Sequence, residues 1–114
     1  MQYKTKIAAT FKKEFKRLYK RYPSLEQDVK NLREEILTHP TTIGTDLGGG
    51  LRKIRMRITA KGKGKSGGAR VITFTVVVST DASEIHFLYL YDKSERSSIT
   101  QAEIEALLKA CGLL

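Results

Sequence analysis

Residues 51–70 read LRKIRMRITAKGKGKSGGAR and hold eight Lys and Arg with no Asp or Glu. The first half alternates. Lys53, Arg55, Arg57 and Thr59 fall on one side, and Arg52, Ile54, Met56 and Ile58 on the other. A period of two is the signature of a strand, so the spacing predicts one over 51–59 with an apolar core face and a cationic open face. Phosphate is the chemical complement of such an array. The loop 61–68, KGKGKSGG, returns the chain into VITFTVVV, residues 71–78, which is apolar on both faces. That pattern places the second strand in the middle of a sheet. A turn over 79–83 leads to a third strand over 84–92.

The flanking segments read as follows. Tyr3, Thr5 and Ile7 alternate with Lys4, Lys6 and Ala8 as a short first strand. Thr10 is placed to cap a helix whose apolar stripe is Phe11, Phe15, Leu18, Tyr19 and Tyr22, and Pro23 ends it. Its other face carries Lys12, Lys13, Lys16, Arg17, Lys20 and Arg21. Ser24 and Gln27 read as a capping box for a second helix buried through Leu25, Val29, Leu32 and Ile36, which His39-Pro40 closes. The segment 41–50, TTIGTDLGGG, reads as loop. Thr100 and Glu103 form another capping box, for a last helix with Ile104, Leu107, Leu108 and Cys111 on one face and Gly112 as its stop. The expected architecture is one α+β domain over 1–114. It has a small, mostly antiparallel sheet, an N-terminal helical hairpin and a C-terminal helix, with the helices on one face and the other face open and basic.

Charge is the unusual part of the composition. The net charge is +9, while the hydrophobic content of 40% is ordinary for a globular protein. The excess sits in two blocks, residues 1–24 and 51–70, separated and followed by acidic-leaning segments. Neither a signal peptide nor a membrane span is visible, which leads to the expectation of a cytoplasmic protein. Cys111 is the only cysteine, fits a reducing setting and reads as a packed small residue. Gly64-Lys65-Ser66 resembles the end of a phosphate-binding P-loop. The pattern needs glycine where Thr59 stands, and a helix where the chain continues as a strand. With His39 and His86 as the two histidines and no clustered Cys or carboxylate set, no metal site and no cofactor are expected.

This inventory reaches metal-free RNA cleavage. The ribose 2′-OH attacks the adjacent phosphate, clustered Arg side chains stabilise the charge that develops, and a Lys among cations serves as acid or base. Lys53, Arg55 and Arg57 share a face. Lys93 follows the third strand, and Tyr89 and Tyr91 share its parity and are candidates to stack on bases. The alternative for the same residues is a solvated cationic face that binds nucleic acid without catalysis.

Three segments in order, LGGGLRKIRMR, GGARVITF and LYLYDKSERSSIT, together with the hairpin RLYKRYPSLEQDVKNL, resemble the RelE/HigB-type toxins of bacterial toxin–antitoxin modules, within the RelE/ParE superfamily. The resemblance covers about residues 3–110. It implies a ribosome-dependent endoribonuclease that cuts mRNA, held in check by a cognate antitoxin. It places Arg55, Arg57, Arg70 and Lys93 as catalytic, with Arg70 on the scissile phosphate. Lys53, Lys63, Lys65, Tyr89, Tyr91 and Arg96 become RNA contacts. The sequence departs from RelE near Thr100, where RelE has an aromatic residue. Arg70 also has the parity of Ile72 and Phe74, which read as core, so a bulge, a twist or a different core face must turn it outward. The ParE branch implies another activity, inhibition of DNA gyrase by protein contact. The density of Lys and Arg on the sheet, with Arg70 and Lys93, favours RNA.

Overall fold

The computed structural model describes residues 1–62 and 64–114. Five strands form one mixed sheet. They are β1 (Gln2–Ile7), β2 (Thr45–Gly48), β3 (Leu51–Met56), β4 (Ala69–Ser79) and β5 (Ala82–Asp92), in the order β1-β5-β4-β3-β2. β1 runs parallel to β5, and the other pairings are antiparallel. The helices are α1 (Ala9–Arg21), α2 (Leu25–Thr38) and α3 (Gln101–Ala110). The long apolar strand β4 lies at the centre, as its two-sided hydrophobicity requires.

Both faces of the sheet are covered. On the first, Phe11, Leu18, Leu25, Leu32 and Ile36 of the helical hairpin pack on Ile54, Met56, Val71, Ile85, Phe87 and Leu90. On the second, Ile104 and Leu108 of α3 pack on Leu51, Ile72 and Leu88, with Phe74 against them. The expectation of helices on one face and an open face opposite is therefore corrected. The even-numbered residues of β4 are as apolar as the odd ones, and α3 supplies the cover they need. α3 shields only part of that face, and the end carrying Arg55 and Arg70 lies beyond its apolar contacts.

Four local readings change as well. The segment read as loop contains β2, which pairs with β3 through a turn of Gly48, Gly49 and Gly50, all at positive φ. β3 ends at Met56 rather than Thr59. Thr59 opens a 3₁₀ turn (Thr59–Lys61), where its N–H and hydroxyl donate to the carboxylate of Asp28 at 3.0 and 2.6 Å. Thr10 lies inside α1 and donates to the Leu88 carbonyl (2.5 Å), while Ala8 is the N-cap residue. Ser24 is the N-cap residue of α2 but forms no capping box. Its hydroxyl donates to Asp28 (2.9 Å) and accepts from the N–H of Ala60 (2.9 Å). A long-range partner takes the hydroxyl of Thr10, and Ser24 is shared between Asp28 in its own helix and distant Ala60. The Thr100–Glu103 capping box of α3 forms in full, and Gly112 takes the left-handed conformation expected of a helix stop.

Candidate nucleic-acid interface

Register brings the predicted residues together. Across β3, β4 and β5, Arg55 pairs with Arg70 and Arg70 with Tyr91, so the three side chains form one transverse row. The neighbouring row is Lys53, Ile72 and Tyr89. Arg70 faces the same side as Ile72 and Phe74, and β4 needs no bulge to turn it. Ile72 and Phe74 belong to the second core under α3, and Arg70 sits at the end of the strand past that core. Arg70 is only 6% exposed. Its Nη1 donates to the carbonyls of Lys65 and Ala69 at 3.2 and 3.1 Å. Burial, and then the charge of Arg55, act to lower its pKa, while Tyr91 acts the other way. A guanidinium stays protonated under such pressure. The consequence is a fork-shaped cation set in a protein wall and short of solvation.

Arg55 is exposed. Arg57 is also exposed and follows β3, where the Gly68 backbone lies against it. A Cβ on Gly68 would stand 2.2 Å from the Met56 carbonyl oxygen and 3.2 Å from the Arg57 Cα, so glycine is what lets the two segments close together. Lys53 is half-buried. Lys65 reaches Glu35 of α2 at 3.4 Å. Lys63 lies outside the described residues. The N–H of Lys93 donates to the Gly68 carbonyl (3.1 Å), which extends the β4–β5 ladder one step past Asp92. Its amine donates to the Ser97 carbonyl at 2.5 Å.

The two tyrosines part company. Tyr91 is 2% exposed, its ring is overlain by the Arg96 guanidinium at 5.6 Å, and burial raises its hydroxyl pKa. Tyr89 is half-buried, with its ring centroid 6.2 Å from that of Tyr91. Of the pair, Tyr89 is the ring that a base reaches more readily. Arg96 is tied to Glu103 of α3 at 2.5 Å, which raises its pKa.

Sequence reasoning missed the support beneath this surface. The Asp92 carboxylate is fully buried. It accepts from Lys61 (2.5 Å), from the Tyr22 hydroxyl (2.8 Å) and from the hydroxyl and N–H of Ser94 (2.8 and 2.9 Å). Burial alone would raise its pKa, but these bonds outweigh it and hold the group at about 2. Lys61 also donates to the Gly67 carbonyl (3.1 Å), three residues before Arg70. One buried ion pair thus ties the base of the loop to the end of β5. Lys61 was hidden in the basic run because a structural lysine and an RNA-contacting lysine look alike there. The spacing Asp92-x-Ser94, an Asx-turn pattern, was the available signal.

Among the described residues, no group of three His, Cys, Asp or Glu side chains is arranged to hold a metal ion. No helix among them is long and apolar enough to cross a membrane. The family model described as the RelE toxin of the RelE / RelB toxin–antitoxin system matches residues 5–114. The chain belongs to the RelE toxin family. RelE membership makes it a toxin of a toxin–antitoxin system, with an antitoxin of the RelB type as its counterpart. No curated protein matches the chain. The RelE match spans every strand from β2 to β5 and all three helices.

Proposed function

We propose that this RelE-family toxin is a metal-free endoribonuclease that cuts mRNA on the ribosome. The observation that carries the reading is the cross-strand pair of Arg55 and Arg70, one exposed and one buried, on a single face. Two adjacent guanidinium groups suit a phosphate that gains charge in a transition state. The buried one is held in place before substrate arrives, so it needs little reorganisation. The ribose 2′-OH attacks the neighbouring phosphorus in line. A 2′,3′-cyclic phosphate forms as the bond to the 5′-oxygen breaks. Lys93, once released from Ser97, serves in proton transfer, and Arg57 and Lys53 hold flanking phosphates. Lys65 and Arg96 give up their carboxylate partners to contact RNA. Tyr89 stacks on a base, and Tyr91 forms the wall behind Arg70. The sheet therefore supplies charge and position, and the substrate supplies the nucleophile.

Primer extension on mRNA after induction in cells tests the reading. Codon-linked cleavage stops are the expected outcome. Intact mRNA with arrested DNA replication would favour a gyrase-directed toxin instead.

A further inference from the structure

A cleft of about 210 Å³ lies between α2 and the end of β3, next to the arginine pair. Arg55, Arg57 and Lys65 line it on the cationic side, and Asn31 and Glu35 line it from α2. Arg55 belongs both to this cleft and to the row containing Arg70. Lys65 joins the two again, because its side chain lines the cleft while its carbonyl accepts from Arg70 at 3.2 Å. The volume is below the ~300 Å³ at which ligand pockets commonly begin, so the cleft suits a single ring system.

The α2 wall is the unusual part. A surface built only to hold phosphate gains nothing from a carboxylate in its lining, since Glu35 repels the ligand. A carboxylate there has a use if it meets a hydrogen-bond donor. Asn31 and Glu35 are one helical turn apart and project from the same side of α2. The Asn31 Oδ1 accepts from Gln27 at 2.9 Å, which leaves its amide N–H groups to donate outward. Glu35 only accepts. Asp28, the other carboxylate in the lining, has its oxygens engaged by Ser24 and Thr59. What remains is one donor and one acceptor side by side, with cations opposite. That is the complement of a base edge carrying an amino group beside a ring acceptor, on a nucleotide whose phosphates meet Arg55 and Arg57.

We propose that this cleft is a base-reading subsite for a nucleotide adjoining the scissile phosphate, with Asn31 and Glu35 as its specificity residues. The proposal rests on the ribonuclease reading above. Its test is a map of cleavage-product ends across cellular mRNA for the wild type, Asn31→Asp and Glu35→Gln. Asn31 and Glu35 are both exposed, and thermal unfolding of each variant confirms its fold. The wild type should favour an amino-bearing base at one fixed position beside the cut. Glu35→Gln and Asn31→Asp should each change that preference by roughly tenfold, the worth of one hydrogen bond, at that position alone. A uniform fall in cleavage with the base profile unchanged would mean that Glu35 only tethers Lys65, and the subsite is wrong. Unchanged cleavage and an unchanged profile overturn it equally. A wild type that cuts no RNA removes the ribonuclease reading itself, a different failure from a wild type that cuts while its variants read bases as it does.

Discussion

Burial and the neighbouring Arg55 both press on the charge of Arg70, and the carbonyls of Lys65 and Ala69 orient it. Replacing it with Ala should cost on the order of 10²–10³ in cleavage rate, as for one lost transition-state donor. Arg70→Lys should recover little, because an ammonium cannot span two phosphate oxygens from the same place. Lys93→Ala should slow cleavage. Lys12, Lys16 and Lys20 of α1 offer a contrast. Their combined replacement should weaken polyanion binding and flatten its salt dependence while leaving the cutting step intact. The comparison is single-turnover mRNA cleavage by folded variants. Loss of the chemical step in the α1 variant alone would put the site on the wrong face. At this scale the sequence was generous with the cations and silent on their partners. Strand parity placed Lys53, Arg55 and Arg57 together, but nothing local marked Lys61 as an internal strut or Tyr91 as a buried wall.

At the scale of elements, the join between the β4 loop and the end of β5 depends on Asp92. Its folded pKa of about 2 lies below the ~3.9 of an unfolded aspartate. A depressed carboxylate pKa stabilises the fold fully above the unfolded value, and the stabilisation disappears as pH falls through the folded one. Urea unfolding midpoints should therefore hold down to about pH 4 and then drop towards pH 2, and Asp92→Asn should flatten that acid limb. Lys61→Met should cost about 3–5 kcal/mol at neutral pH, because it leaves the Asp92 charge buried without its cation. A cost below ~1 kcal/mol would show that water replaces the lysine. In α3, Thr100→Ala should cost about 1 kcal/mol by removing a hydrogen-bonded cap. The α3 cap was legible because both its partners are local. Those expected at Thr10 and Ser24 were not, because Leu88 and Ala60 engage the two hydroxyls from afar and Asp28 accepts from Ser24 within α2. β2 was hidden for a related reason. Its hydrogen bonds come from β3, and its own residues carry glycine and turn chemistry.

For the whole molecule, family and charge point the same way. Expression without an antitoxin should arrest growth, and a counterpart that neutralises it should be acidic where it binds a +9 protein. Harmless expression of the verified wild type at high level would contradict this. The RNA product should end in a 2′,3′-cyclic phosphate, and cleavage should survive EDTA on ribosomes already loaded with their own Mg²⁺. A 3′-hydroxyl end would show that water, not the ribose, attacks. The class and most of the element order were readable from periodicity, because strands and helices each bury a patterned face. Whether a sheet is covered once or twice is a property of the assembled layers. The two-sided apolarity of β4 holds that information, but on its own it signals only a central strand.

The β4–β5 pairing shifts register between Ile72 and Thr73, which face Tyr89 and Phe87, so that β5 carries one unmatched residue, Leu88. Before it, odd-numbered side chains such as Ile85 and Phe87 point to the helical hairpin. After it, the even-numbered Leu90 and Asp92 take that side, and Tyr89 and Tyr91 turn to the other. That one residue works as a phase switch between two halves that answer to different demands. Loss of Leu88 alone would let Phe87 and Tyr89 pair with Thr73 and Ile72 without a bulge and leave both halves in phase, whereas a residue added after Leu88 without a wider bulge would force a choice: keep the core in phase and drive Tyr91 and Lys93 away from Arg70, or keep the site in phase and rotate Phe87 out of the hairpin core. A one-residue insertion in β5 should accordingly be far more damaging than substitutions there. The length of this strand, as much as its composition, encodes the site.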